Sequence, residues 1–394
     1  MNRVQNEAYF RFCSVHDSLP NCTTALKHSE RHGWVEQFEP PMFTDDGDSF
    51  LTILPQKQHD ASYWRHAVAI TNVSSGKTRS FALTSGRFVV TEIVSWDQKN
   101  SYLYYLATTE EESAVQHLYR ISTKTGGGRK PKCLSCGIIR ETDRNRCLYN
   151  TAKFSTDHSH YVLTCAGPGV PDITIYNKDS SKLLAWEENE AVSEIIAEKS
   201  QPVVRRYKVP VPGGFEARVR LLIPPNADLS GATKYPMLIF VYLQDTLPFI
   251  DRTRTAIWGW SYGGYATGMT LAMDYHGVFK CGMSVAPVTD WALYDSIYTE
   301  RFMGLPSDNL HGYEQGQLLN KVDNIKTKMY YLIHGTLDDN VHYQQSLLLA
   351  KVLEQKDILF RQQTYTDEDH GIAQSRAHLY HSLENFLDEC YEAS

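Results

Sequence analysis

A serine framed by glycines, Gly259-Trp260-Ser261-Tyr262-Gly263, follows the apolar run Ala256-Ile257-Trp258 and precedes Gly264 and a helix-forming stretch. This G-x-S-x-G spacing constrains its surroundings more than any other feature of the chain. A serine that attacks a carbonyl must sit on a sharp strand-to-helix turn with its hydroxyl lifted above a sheet. Glycines on both sides let strand and helix approach without Cβ clashes. The amide of Tyr262 then points to where an oxyanion would form. A glycine-rich turn that merely contains a serine has the same five letters, so the flanking sequence decides.

From about residue 203 onward, short apolar runs alternate with helical stretches. The runs are 236–242, 255–258, 280–286, 329–334 and 358–365. Continuous apolar strands separated by helices predict a parallel sheet covered on both faces. A helix over 345–353 follows one strand. A last helix places Leu379, Leu383, Phe386, Leu387 and Cys390 on one face.

The first 200 residues read differently. Three segments share one order of residues: an apolar or aromatic position, a small polar residue, an Asp-centred turn and an aromatic strand. They begin at Phe43, Val94 and Phe154, and their strands start near Phe50, Tyr102 and Tyr161. A repeat of roughly 50 residues, each a small sheet, fits β-propeller blades; a β-sandwich would also give regular strands and turns. Three or four blades are too few to close a propeller.

Net charge is -7 and no long basic run exists, which argues against nucleic acid or an anionic membrane as the main partner. No apolar run reaches the roughly 18 residues of a membrane span, and the first residues carry no apolar signal core. Yet the eight cysteines, an even number, and the N-x-[ST] sequons at Asn21 and Asn72 suit an extracellular protein. That conflict leads to the expectation of an incomplete chain with upstream sequence missing. Cys133-Leu134-Ser135-Cys136 has the spacing that opens a zinc site, but no second C-x-x-C or paired histidine follows; no metal is expected.

A serine nucleophile needs a base, and the base needs an orienting acid. After Ser261, the strand ending Leu332-Ile333-His334 leads into Asp338-Asp339-Asn340, and the next strand ends before His370. Both segments lie just past strand C-termini, where open α/β sheets bind ligands. Acid before histidine is the order that follows a serine elbow of this kind. Asp338 and Asp339 both remain candidates on spacing alone.

The segments Trp258 to Gly264, Val285 to Trp291, Tyr294 to Arg301, His334 to His342 and Tyr365 to Ala373 resemble the dipeptidyl peptidase IV family of the prolyl oligopeptidase superfamily. The likeness covers nearly the whole chain, including Cys133 to Cys136 and Gly167 to Pro171. It implies a partial β-propeller over 1–202 and an α/β-hydrolase peptidase domain over 203–394. It implies Ser261 as nucleophile, Asp338 rather than Asp339 as acid, and His370 as base. Tyr242 matches the family's oxyanion tyrosine, beside the Tyr262 amide. Tyr262, Val288, Trp291, Tyr294, Tyr298 and Val341 match an apolar pocket for proline, and Asn340 a polar contact to substrate. The implied disulfides are Cys13–Cys22, Cys133–Cys136, Cys147–Cys165 and Cys281–Cys390.

The resemblance also implies release of Xaa-Pro or Xaa-Ala dipeptides from peptides, no cofactor, a homodimer, glycosylation and a secreted or membrane-anchored parent. Two departures stand out. Only 243–254 separate Tyr242 from the elbow strand, where the family has a further strand and two helices. That loss is expected to leave a gap or exposed apolar surface in the sheet. The family's glutamate pair for the substrate amine has no counterpart here. Impaired activity is therefore expected, and a non-catalytic binding or dimerisation module is the alternative.

Overall fold

The Asp-centred turns that repeat along the first half each close a strand pair through bonds to an Asp side chain, in the same pattern at the first and third repeats. Asp46 Oδ1 accepts from Thr44 Oγ1 at 2.6 Å and from the Asp48 amide at 3.0 Å. Asp157 Oδ1 accepts from Ser155 Oγ at 2.7 Å and the Ser159 amide at 3.0 Å. In the middle repeat Asp97 Oδ1 takes the Asn100 amide at 3.0 Å. A short acceptor side chain that satisfies turn amides is why Asp recurs there.

The computed structural model describes residues 1–14, 21–31, 33–36, 39–124, 130–140, 145–239 and 249–392. They form two units, Met1–Ser200 and Gln201–Ser394. In the first, β1 (Glu7–Ser14) and β2 (Asn21–Ser29) form an antiparallel pair. A four-stranded sheet follows: β3 (Met42–Phe43), β4 (Phe50–Lys57), β5 (Tyr63–Thr71) and β6 (Arg79–Ala82). The next comprises β7 (Val90–Asp97), β8 (Tyr102–Thr108), β9 (Gln116–Ser122) and β10 (Lys132–Cys133). The third comprises β11 (Tyr149–Phe154), β12 (His160–Gly167), β13 (Asp172–Asn177) and β14 (Lys182–Glu187), and touches the second through one β9–β11 pairing. A short helix, α1 (Glu190–Ala197), ends the unit.

The alternation of β8 explains how these sheets stack. Leu103 and Tyr105 pack with Leu51, Ile53, Ala67 and Ala69 of the preceding sheet. Tyr104 and Leu106 pack with Tyr161, Leu163 and Tyr176 of the following one. A strand apolar on both faces needs a neighbour on each side. Successive four-stranded sheets packed face to face are propeller blades.

The second unit opens with the hairpin β15 (Val203–Val211) and β16 (Phe215–Ile223). Then come β17 (Tyr235–Ile239), β18 (Ile250–Trp260), α2 (Tyr262–Met273) and β19 (Cys281–Val285). After these come α3 (Ser296–Met303), α4 (Leu310–Gly316), β20 (Met329–Gly335), α5 (Gln344–Gln355), β21 (Arg361–Tyr365) and α6 (Arg376–Glu392). Strands β17 to β21 form a parallel sheet in chain order. Leu332 of β20 joins the cluster with Leu271, Leu349 and Leu353, while Tyr331 and Ile333 join that with Leu379, Leu383 and Phe386. Helices α2 and α5 thus cover one face and α6 the other.

One boundary differs from expectation. The elbow strand starts at Ile250, not Thr255, because Tyr235 pairs with Ile250 and a register shift separates that contact from Met237–Thr255. The segment read as a crossover therefore supplies strand residues. Beyond β17 no described strand continues the sheet, and β15–β16 stands as its own two-stranded sheet. Leu238 on that edge strand is 44% exposed.

Candidate active site

Ser261 sits between β18 and α2 with φ 59° and ψ -119°, a conformation that L-residues rarely adopt. The surrounding glycines make it attainable. A Cβ on Gly259 would lie 2.2 Å from the Gly263 carbonyl oxygen, and one on Gly264 would lie 2.9 Å from that of Val285. The turn is tied by Ser261 N to Val285 O at 2.8 Å and Tyr265 N to Ser261 O at 3.0 Å. As the first residue of α2, Tyr262 has an amide with no intrahelical acceptor, beside the serine.

Asp338 lies in the turn after β20, its side chain fully buried. Its Oδ1 accepts the amides of Asn340 at 3.0 Å and Val341 at 2.9 Å. Its Oδ2 faces His370 Nδ1 at 2.6 Å and His334 Nε2 at 3.1 Å. Burial alone would raise this carboxyl, but the bonds and charges of His334 and His370 outweigh it and hold it well below the usual carboxylate range. Asp339 beside it is exposed. His370, in the loop after β21, is partly exposed. Trp260 of the elbow donates its indole N–H to the His370 carbonyl at 2.9 Å. The three residues Ser261, Asp338 and His370 thus come from the C-terminal ends of β18, β20 and β21, with β19 lying between the first two in the sheet. Among the described contacts, Asp338 and His370 are bonded to each other and Ser261 Oγ is bonded to neither.

Next to the elbow, aromatic rings form an apolar slot. Trp291 stacks on Tyr298 at 6.0 Å and meets Tyr265 edge-on at 5.1 Å and Tyr262 at 5.9 Å. Val288, Trp291 and Val341 are buried in one cluster, against which Tyr294 and Tyr298 pack. Burial raises the Tyr294 and Tyr298 hydroxyls above their ordinary range, with nearby Asp295 adding to it, so both stay neutral donors. The Tyr294 hydroxyl donates to Asn340 Oδ1 at 2.8 Å, which ties the slot to the Asp338 turn. A cavity of about 370 Å³ opens beside Tyr262, Trp291 and Tyr298. Tyr265, Phe302, Met303 and Gly316 also line it. Sequence reading missed these four, although Tyr265 and Phe302 follow Tyr262 and Tyr298 at helical spacing. It also gave no role to His334. Tyr242 lies outside the described residues.

All eight cysteines are bonded: Cys13–Cys22, Cys133–Cys136, Cys147–Cys165 and Cys281–Cys390. The last joins β19 to α6. Among the described residues one trio of metal-binding side chains lies within 4.8 Å, His117 with Cys133 and Cys136. Its two sulfurs are bonded to each other, and the histidine comes from the neighbouring strand rather than from nearby sequence. Asn72 lies exposed in the turn after β5, and Asn21 opens β2.

Residues 237–394 match the prolyl oligopeptidase family, and residues 1–172 match the dipeptidyl peptidase IV N-terminal region. Venom dipeptidyl peptidase 4 of Apis mellifera is 35% identical over 456 residues, covering 99% of this chain and 57% of that protein. Dipeptidyl peptidase 4 of Sus scrofa is 33% identical, covering 99% and 58%. The solved dipeptidyl peptidase 4 of Porphyromonas gingivalis superposes with a TM-score of 0.81 at 25% identity, covering 99% of this chain and 61% of that one. The chain thus spans less than three fifths of these curated relatives. The match to the Apis protein runs over 456 residues against 394 here, so that relative carries residues without counterpart in this chain.

Proposed function

The chain belongs to the prolyl oligopeptidase family, and from that premise we propose that it is a serine exopeptidase releasing Xaa-Pro or Xaa-Ala dipeptides from peptide N-termini. Ser261 Oγ attacks the carbonyl carbon of the substrate's second residue. His370 takes the hydroxyl proton and passes it to the leaving amine, which departs and leaves an acyl-enzyme. Water, deprotonated by the same ring, then releases the dipeptide. Asp338 orients His370 and stabilises its imidazolium. The amide of Tyr262 and the hydroxyl of Tyr242 donate to the tetrahedral oxyanion.

The observation that carries this reading is the 2.6 Å contact of His370 Nδ1 with the buried Asp338 carboxylate, beside a serine on a strained elbow. An exposed surface histidine has no such partner. The aromatic slot of Tyr262, Trp291, Tyr294 and Tyr298, with Val288 and Val341, suits the flat ring of proline or the small methyl of alanine. Asn340, held by Tyr294, contacts a substrate carbonyl through its amide.

Residues 1–202 are the C-terminal blades of a propeller and 203–394 the hydrolase domain. The four disulfides support an oxidising, extracellular setting, with glycans at Asn21 and Asn72. Among the described residues no helix is long and apolar enough to cross a membrane. A homodimer is the assembly proposed. The open edge of β17 predicts lower turnover than an unshortened sheet would give.

The test is hydrolysis of fluorogenic Gly-Pro and Gly-Ala amides. Measurable release that disappears in Ser261→Ala supports the reading. A folded protein whose serine reacts with a fluorophosphonate, yet releases neither dipeptide, would overturn the dipeptidase assignment.

A further inference from the structure

His334 is the penultimate residue of β20, four residues before Asp338, and is 1% exposed. Its Nε2 lies 2.7 Å from the Val341 carbonyl oxygen and 3.1 Å from Asp338 Oδ2. Both partners are acceptors, so a nitrogen at those distances carries the hydrogen. Its Nδ1 lies 2.7 Å from Ser346 Oγ, itself fully buried on α5. A hydroxyl can donate there, which leaves the ring with its proton on Nε2. The ring edge of Tyr343 packs on His334 at 5.5 Å, and the Tyr343 hydroxyl is fixed by Thr364 of β21 at 2.8 Å. Both ring nitrogens of this imidazole are therefore held.

The consequence falls on one carboxylate. Asp338 Oδ1 is used by two turn amides, so Oδ2 alone serves the base, and Oδ2 is the atom that His334 shares with His370. The same His334 proton reaches the Val341 carbonyl and closes the 338–341 turn onto β20. The other ionisable groups nearby are Tyr294 and Tyr343 on the turn side, and Asp367, Glu368 and Asp369 on the loop of His370. Arg376 on α6 bonds the Gly371 carbonyl. Among all of these, only His334 and His370 donate to Asp338 Oδ2 in the described contacts.

We propose that His334 is a positioning residue for the reaction: with its tautomer fixed by Ser346, it anchors Asp338 Oδ2 in line with His370 Nδ1. This rests on the peptidase reading given above. His334 touches no substrate and acts through Asp338. The order Ser346, His334, Asp338, His370 extends the orienting chain by two residues, as outer-layer partners do for other aligned histidines.

The experiment uses the full chain with nitrogen-labelled histidine. In the wild type, His334 shows a protonated Nε2 and a bare Nδ1, and His370 shows a protected Nδ1–H proton. His334→Leu removes the donor, so the His370 signal broadens or is lost and kcat on a Gly-Pro amide falls about tenfold with KM within twofold. His334→Gln keeps an N–H near the Nε2 position and restores both readouts to within about threefold. Ser346→Ala gives a smaller loss in the same direction, and decides the matter if His334→Leu does not fold. A bare Nε2 in the wild type, equal impairment by Leu and Gln, or wild-type kcat in Ser346→Ala would overturn the proposal. A wild type that shows the expected histidine signals but no hydrolysis would sink the peptidase reading, and with it the catalytic role of His334, while the anchoring of Asp338 by His334 would still be shown.

Discussion

The indole N–H of Trp260 donates a 2.9 Å hydrogen bond to the backbone carbonyl of His370, 110 positions away in sequence. It links the residue before the candidate nucleophile to the candidate base, so elbow and loop move together. Trp260→Phe keeps the ring and removes the donor. One neutral hydrogen bond is worth about 1 kcal/mol, so kcat/KM should fall about fivefold with little change in melting temperature. Steady-state kinetics beside a thermal melt check this.

Asp338 contributes to the pH dependence of stability, alongside other carboxyls held low such as Asp251 and Asp274. Its carboxyl is held below the unfolded value of about 3.9. A depressed carboxyl stabilises the fold above that unfolded value, and the contribution disappears as pH falls through the folded one. Melting temperature should therefore drop on acidification below about pH 4. Asp338→Asn should show a lower melting temperature at pH 7 and a flatter acid limb. Melts from pH 7 to pH 3 provide the comparison, and parallel curves for the two proteins would contradict it.

The Cys281–Cys390 bridge closes a span of 109 residues between buried positions on β19 and α6. Loop-closure entropy for a span near 100 residues is about 4.7 kcal/mol, and removal of native bridges costs about 2–5 kcal/mol. The double variant Cys281→Ser, Cys390→Ser should lose stability in that range by urea titration. The Cys133–Cys136 pair, which closes only a short loop, should cost less when removed in the same way.

Gly259 tests the elbow backbone. An added Cβ would meet the Gly263 carbonyl oxygen at 2.2 Å, and backbone cannot swing aside as a flexible side chain can. Gly259→Ala should therefore abolish serine labelling and lower the melting temperature of the hydrolase unit, whereas Gly137→Ala, with no atom within 4 Å of its Cβ and no left-handed φ, should not prevent labelling.

Much of the architecture was legible because each part has a local cause. The Asp-centred turns repeat since Asp46, Asp97 and Asp157 satisfy their own amides. The parallel sheet was legible because its strands are apolar on both faces. Asp338, Asp339 and His370 followed from strand-end position, but spacing did not separate the two acids. Their burial does, and no local pattern encodes it. The start of β18 was misplaced because Asp251, Arg252 and Arg254 look like loop residues, yet they continue the strand past a register shift. His334 escaped notice because a histidine closing an apolar strand reads as core. Its partners Ser346, Val341 and Asp338 converge only in three dimensions. The same holds for His117, which the fold brings beside Cys133 and Cys136 from another strand.

The central claim is that Ser261 is an activated nucleophile. Its most direct measurement is stoichiometric labelling with a fluorophosphonate, followed by mass mapping of the modified peptide. The account predicts one label per folded chain, on Ser261, absent from Ser261→Ala and at least a hundredfold slower in His370→Ala. A folded wild type that takes no label, or a Ser261→Ala variant labelled as fast as the parent, would contradict it.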